Sequence, residues 1–258
     1  MENRADPQII IDIARKAGAA ILEIYGREFS VEEKEDKSPL TEADQKANDI
    51  IVAGLQGAYP EIPIISEEIK NQPYDERKGW GSFWLVDPLD GTKEFIKKNG
   101  EFTVNIALVE DGVPTLGVVY QPAKDRLYYA AKGQGAFKTG SDGTTQPIQG
   151  GKHYAQLDKV RIVASRSHMS PETEEFVESL KAQGKEVDLL SSGSSLKLCL
   201  VAEGEADVYP RFAPTMEWDT GAAHAIALET GRKVLNPETR EPLQYNKENL
   251  LNPWFIVE

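Results

Sequence analysis

Two aspartates lie three positions apart in Asp87-Pro88-Leu89-Asp90-Gly91-Thr92, and this is the most informative chemistry in the chain. The apolar run SFWLV before Asp87 predicts a strand that stops at Pro88, which fixes φ and offers no ladder donor. Gly91 permits a tight backbone path, so both carboxylates can turn to one side. The amides of Gly91 and Thr92 are then open at a helix start, a place suited to an anion. Carboxylates beside an anion site require cations between them. Two like charges about 4 Å apart repel by roughly 4 kcal/mol at an effective dielectric near 20. Magnesium relieves that repulsion and prefers one or two carboxylates together with phosphate oxygens and water. The competing explanation is a plain strand-to-helix turn with Asp90 as its N-cap.

Two further acidic motifs follow short apolar segments: Ser66-Glu67-Glu68 and Trp218-Asp219-Thr220. By itself Glu67-Glu68 reads as a solvated loop after a strand, and Asp219 reads as the N-cap of a helix ending near Gly231. Thr41-Glu42-Ala43-Asp44 matches a capping box, with Asp44 as its third helical residue. Cys199 sits in the apolar run LKLCLVA and reads as a buried thiol. No serine or cysteine motif of the nucleophilic kind accompanies these acids.

The elements that must position these residues are legible as periodicity. Asp6 and Pro7 read as N-cap and first residue of an opening helix, with Ile10, Ile13, Ala14, Ala17, Ile21 and Ile24 on one face. Acids among its bases and the lack of a cleavage-type ending set this segment apart from a signal peptide. VEEKEDKSP is expected as a hairpin or loop. Thr41 to Ala58 predicts a second helix, and IPIIS a short buried strand. NQPYDERKGWG is expected as a loop. TVNIALVEDGVPTLGVVYQP reads as a hairpin with Asp111-Gly112 near its turn, and RLYYAAKGQGAF continues that antiparallel sheet.

Thr139 to Gly151 is expected as a loop and a boundary. Residues 1–150 then form an α+β subdomain with the main metal motifs, and residues 151–258 an α/β subdomain that completes the site. In the second part, strands VRIVAS, EVDLL and ADVYP alternate with helices PETEEFVESLKAQ, SSLKLCLVAEG and DTGAAHAIALETG.

Charge narrows the partners. The 258 residues carry 29 Lys and Arg against 42 Asp and Glu, a net charge of −13. Such a chain has no bulk attraction for a nucleic-acid polymer or an anionic membrane. It can bind a phosphorylated small molecule where bound cations reverse the local field. No apolar run approaches the roughly 20 residues of a transmembrane segment. The single cysteine excludes an internal disulfide and fits a cytoplasmic location, with peripheral association at the inner membrane left open.

D-P-L-D-G-T, the preceding E-E, T-x-x-D at a helix start and a late W-D-T occur together and in order. In this combination the chain resembles the inositol monophosphatase superfamily of magnesium-dependent, lithium-sensitive phosphatases. The likeness runs from the first helix to L-N-P-W-F near the end. Longer strings are similar to its CysQ-type 3′(2′),5′-bisphosphate nucleotidase branch: WLVDPLDGTKEFIKKNGEFTVNIALVEDG, ASRSH, GSSLKLCLVAEGEADVYPRF and EWDT. Those enzymes remove the 3′-phosphate of adenosine 3′,5′-bisphosphate, a by-product of sulfate activation.

The resemblance implies an α/β fold, the layered α-β-α-β-α sandwich of sugar phosphatases, with the site between its halves. It implies two or three Mg²⁺ ions held by Glu67, Asp87, the Leu89 carbonyl, Asp90 and Asp219. Asp44 and Thr92 would orient and deprotonate the attacking water beside Glu67, without a phosphoenzyme. Leu89, Asp90, Gly91, Thr92 and Asp219 would border the substrate, and Ser165, His168, Gly193 and Lys197 would contact its nucleotide. Apart from the resemblance, His168 reads equally as a surface histidine and Lys197 as a solvated lysine. Trp80, Trp84 and Trp218 read as packing residues, and Arg211, just ahead of Asp219, is a candidate to meet a substrate phosphate.

One departure stands out. The family's usual run after the last aspartate is T-A-A-G, whereas this chain has Thr220-Gly221-Ala222-Ala223. If the glycine serves close backbone approach, Ala223 is expected to narrow the site slightly. The competing activities are an inositol-phosphate or other sugar-phosphate phosphatase on the same scaffold, and a catalytically silent metabolite-binding regulator.

Overall fold

The computed structural model describes residues 5–33, 39–164 and 169–258. Helix α1 (Pro7–Tyr25) starts where Asp6 accepts a hydrogen bond from the Gln8 amide, and its isoleucines and alanines are buried. Strands β1 (Val31–Glu33) and β2 (Pro39–Thr41) pair antiparallel and lead into α2 (Glu42–Ala58). Strand β3 (Ile64–Ser66) runs parallel to β4 (Ser82–Asp90), with the short helix α3 (Tyr74–Arg77) between them. After α4 (Thr92–Ile96) come β5 (Thr103–Glu110), β6 (Val113–Gln121), β7 (Arg126–Ala131), β8 (Gly135–Thr139) and β9 (Thr145–Ile148). Strands β3 to β9 form one sheet in sequence order, antiparallel from β4 onward.

The second part contains β10 (Lys159–Ala164), α5 (Pro171–Ala182), β11 (Glu186–Ser191), α6 (Leu196–Ala202), β12 (Tyr209–Arg211), α7 (Glu217–Glu229), β13 (Val234–Leu235) and β14 (Phe255–Val257). β10 and β11 pair in parallel, and β14 lies between β12 and β13.

Strand alternation sorts the large sheet into two faces. Trp84, Val86, Ile106 and Val118 pack with α1 and α2, while Phe83, Leu85, Ala107 and Val119 pack with α6 and α7. Val177 and Leu180 of α5 cover Val160, Ile162, Val208 and Ile256 on the far side of the small sheets. The layers are therefore helices, large sheet, helices, small sheets and helix, as the resemblance implies. Among the described residues, no helix is long and apolar enough to cross a membrane.

Helix α7 lies unusually close to the sheet. A Cβ on Gly117 of β6 would stand 2.1 Å from the Ala222 carbonyl oxygen, and one on Gly221 would stand 2.7 Å from Leu85 Cδ2. The hairpin turn is where expected, with Asp111 at φ 49° and Gly112 at φ 75°.

Three expectations are corrected. Within NQPYDERKGWG, α3 forms because its last residue, Arg77, is anchored by the side chain of Asn246 and the carbonyls of Lys247 and Glu248. Inside the segment expected as a loop, β9 joins the sheet. It is an edge strand, where Pro147 interrupts no second ladder. β4 does not stop at Pro88 but continues to Asp90 through an irregularity in its pairing with β5.

Candidate metal and active site

That irregularity builds the site. Asp87 faces Asn105 and Asp90 faces Thr103, so β4 advances three residues while β5 advances two. In a regular strand, residues three apart point to opposite faces. The extra residue of a bulge restores parity and turns both aspartates to one side. Pro88 falls inside the bulge, where a missing N–H disturbs nothing. Asp87 Oδ1 accepts the Leu89 amide at 3.1 Å, and Asp90 Oδ2 accepts the Ser195 amide at 2.5 Å. Asp90 is not the N-cap of α4, because Gly91 occupies that position at φ 91° without a side-chain cap.

Asp219 comes from the opposite layer. It is the third residue of α7, not its N-cap, and its Oδ2 accepts the Met216 amide at 2.8 Å. Asp87, Asp90 and Asp219 each offer a carboxylate oxygen, and these oxygens lie within 4.8 Å of one another. Glu67, just after β3, borders the same space. A cavity of about 710 Å³ is lined by Glu67, Asp90, Thr92, Trp218 and Asp219.

Burial, then Glu67 and the other acids, pushes the Asp87 carboxyl well above its usual range. Burial raises Asp90 to about 6 against the pull of Lys197. Burial and Asp90 raise Asp219 to about 8. Together the oxygen donors form a hard set, suited to a cation such as Mg²⁺ that would compensate their repulsion.

Asp44 approaches from α2. It is 1% exposed, and the capping box expected from the sequence is present. Its Oδ2 accepts the Thr41 amide and hydroxyl, while its Oδ1 accepts the Thr92 hydroxyl at 3.2 Å. The same Thr92 hydroxyl lies 3.4 Å from the Leu89 carbonyl oxygen. The strand-to-helix turn and the capping aspartate thus meet at one hydroxyl.

A neighbouring cavity of about 430 Å³ shares Asp90, Gly91 and Asp219 and extends past Gly193, Lys197 and Arg211. The Gly193 amide donates to Glu101. Lys197 is not a solvated lysine. It is 8% exposed, and its ammonium donates to the Ser194 carbonyl at 2.7 Å. Burial lowers it to about 8, against the pull of Asp90. Ser165 and His168 lie outside the described residues.

The shifted glycine does not shape this wall. Gly221 meets Leu85 and Ala107 of the sheet, and Ala223 is fully buried in the core, leaving Asp219 and Thr220 to line the cavity from α7. The expected narrowing at Ala223 is therefore not found. Trp84 is fully buried, and Trp80 and Trp218 pack against the core as expected.

Ser195 and Asn105 belong to the site but carried no sequence signal. Asn105 Oδ1 accepts the Ser195 hydroxyl at 2.8 Å, and both residues bond Asp90. They sit 90 positions apart, Asn105 on β5 and Ser195 just before α6, and only the folded chain brings them together.

An acid cluster spanning a bulged strand and a helix start, in this five-layer frame, defines a class. The inositol monophosphatase family model matches residues 4–254, and the chain belongs to that family. Within it, the 3′(2′),5′-bisphosphate nucleotidase CysQ of Salmonella typhimurium is 46% identical over 250 residues, covering 96% of this chain and 97% of the relative. The crystal structure of CysQ from Bacteroides thetaiotaomicron superposes with a TM-score of 0.88 at 51% identity, covering 100% of this chain and 98% of that one. The Thermotoga maritima IMPase is more distant, at 26% identity and a TM-score of 0.76, covering 96% of this chain and 89% of that one.

Proposed function

We propose that this chain is a Mg²⁺-dependent 3′(2′),5′-bisphosphate nucleotidase that converts adenosine 3′,5′-bisphosphate to AMP and phosphate. The observation that carries this reading is the near end-to-end likeness to CysQ relatives, at 46% identity, in a chain whose acids converge. Glu67, Asp87, the Leu89 carbonyl, Asp90 and Asp219 would hold the cations. When bound, two or three Mg²⁺ ions supply charge neutralisation for the phosphate and lower the pKa of the attacking water.

The chain's own residues do the rest. Thr92 orients the water through its hydroxyl, and Asp44 receives the proton through that hydroxyl. The amides of Gly91 and Thr92 support the phosphate as charge develops. Lys197 and Gly193, which line the second cavity, would contact the nucleotide, and by the family resemblance so would Ser165 and His168. A cytoplasmic role in nucleotide recycling during sulfur assimilation fits this chemistry.

The test compares kcat/KM for adenosine 3′,5′-bisphosphate and inositol 1-phosphate in Mg²⁺. A preference for the nucleotide is expected. A preference for inositol 1-phosphate would move the chain to the sugar-phosphate side of its family, and no phosphate release from either would leave a binding protein.

A further inference from the structure

Glu217, the first residue of α7, is fully buried two positions before Asp219, yet the proposed hydrolysis makes no use of it. Its carboxylate is filled by the segment that runs between β13 and β14. Oε2 accepts the Asn246 amide at 2.7 Å, and Oε1 accepts the Lys247 amide at 3.0 Å and the Lys247 ammonium at 2.5 Å. The same segment holds the positions around Asp219. The Glu217 amide donates to the Leu250 carbonyl at 2.9 Å. The Asn252 side-chain amide donates to the Met216 carbonyl at 2.9 Å and to the Thr220 hydroxyl at 3.0 Å. The segment is itself anchored from behind by Arg77 of α3, through the side chain of Asn246 and the carbonyls of Lys247 and Glu248.

A buried ion pair is a weak source of stability, because desolvation offsets most of its attraction and apolar packing of the same volume often serves as well. What the Glu217–Lys247 pair supplies is a fixed place for the chain around it. Asp219 needs one. Its carboxylate, with those of Asp87 and Asp90, offers oxygens within 4.8 Å of one another, and like charges at that range repel. A first turn of α7 that was free to yield would relieve the repulsion by moving away. A cation would then have to pull Asp219 back on binding, and the work of doing so would weaken its affinity. With positions 216, 217 and 220 each bonded to the segment, that retreat is closed.

We propose that Glu217 is a positioning residue for the metal site, locked by Lys247, and that the pair holds Asp219 beside Asp87 and Asp90 before a cation binds. The proposal rests on the reading of Asp219 as a cation ligand. The pair acts on metal affinity, and on turnover only through it. It takes no part in choosing the substrate.

The test is Mg²⁺ binding to the purified protein, measured by calorimetry without substrate. The Lys247 side chain is 28% exposed, so Lys247→Met keeps the stem and removes the charge at a position that tolerates the change. Its Kd for Mg²⁺ should rise roughly 10- to 100-fold, the usual effect of altering a group behind a metal ligand. Turnover should recover when Mg²⁺ is raised to match. The ratio of kcat/KM for adenosine 3′,5′-bisphosphate to that for inositol 1-phosphate should stay at its wild-type value. Lys247→Arg keeps the charge and should restore most of the affinity. Glu217→Gln should weaken Mg²⁺ binding in the same direction, and Lys247→Met carries the test if that variant does not fold. Val160→Ala is the control for stability alone. Val160 is fully buried in the core beneath α5, away from α7, so this variant should lose thermal midpoint and bind Mg²⁺ as the wild type does. Lys247→Met and Glu217→Gln proteins with a lowered midpoint and wild-type Mg²⁺ affinity would make the pair a structural clamp and overturn the proposal. An equal rise in Kd for Val160→Ala would overturn it as well. A wild-type protein that binds no Mg²⁺ removes the cation reading itself, and the role of the pair with it.

Discussion

Asp44 Oδ1 lies 3.2 Å from the Thr92 hydroxyl, and this bond ties α2 to the turn that carries Asp90. The other oxygen of the same carboxylate closes the capping box on Thr41. The proposed catalytic role of Asp44 therefore does not compete with its capping role, since the bonds to Thr92 and to Thr41 use different oxygens.

Asp44→Asn separates the two. The asparagine oxygen can still accept from Thr41, and its amide nitrogen can face Thr92 as a donor. Fold stability should fall by about 0.3–1 kcal/mol, the scale of a charge at a helix N-terminus. Proton acceptance is lost, so kcat should fall roughly 10²-fold or more. The check is kcat beside the thermal midpoint at saturating Mg²⁺. Near-normal turnover with a lowered midpoint would leave Asp44 as a cap alone.

Metal removal has a signed pH dependence. Folded Asp90 and Asp219 sit at about 6 and about 8, above the ordinary 3.8, so the unfolded chain holds fewer protons across that window. The stability of the metal-free protein should therefore be greatest at the acid side and fall as pH rises from 3.8 through about 8. Mg²⁺ bound there should compete with those protons and stabilise the fold by about 2.7 kcal/mol at 100 times its Kd. Its shift of the thermal midpoint should be larger at about pH 8 than at about pH 5.5. Activity should vanish in excess EDTA and, by family resemblance, fall in lithium. Full activity in EDTA, or a midpoint shift that shrinks toward alkaline pH, counts against the metal site.

Much of this arrangement was legible in the sequence, and the remainder has physical reasons for being hidden. The acid motifs, the capping box and the alternation of β4 are local patterns, and local patterns survive in a string of letters. The bulge between Asp87 and Asp90 is different. Residues three apart should diverge, and only the pairing of β4 with β5 shows the extra residue that makes them converge. The burial of Lys197 arises from α6 packing beside Tyr209, whose ring lies 5.7 Å from the ammonium. A solvated lysine and a buried one look alike in LKLCLVA. β9 was hidden by Pro147, which an edge strand tolerates.

Lys197 gives a prediction of its own. Lys197→Met keeps most of the buried stem and removes the charge. KM for adenosine 3′,5′-bisphosphate should rise about tenfold or more, the usual weight of a charge-assisted contact. Turnover of a small sugar phosphate should change less. Equal losses on the two substrates would assign Lys197 to the carboxylate cluster through Asp90, not to the nucleotide.

The position of Asp219 depends on how tightly α7 lies on the sheet, and Gly117 sets that distance. A Cβ at 117 would stand 2.1 Å from the Ala222 carbonyl oxygen and 3.0 Å from the Ala225 Cβ. The first neighbour is helix backbone, which cannot swing aside as a flexible side chain can. Gly117→Ala must therefore push α7 outward, and Asp219 in its first turn moves with it. Overpacking of this kind costs about 3 kcal/mol at the upper part of its usual range. The variant should show a lowered thermal midpoint and weaker Mg²⁺ binding, with kcat/KM falling along with the metal affinity. Gly57→Ala is the control. Gly57 lies in α2, and a Cβ there meets nothing within 4 Å. That change should stabilise by roughly 0.8–1.0 kcal/mol, from helix propensity alone, and leave Mg²⁺ affinity unchanged. A Gly117→Ala protein with wild-type midpoint and wild-type Mg²⁺ affinity would mean that α7 does not sit this close, and that something other than the sheet contact positions Asp219.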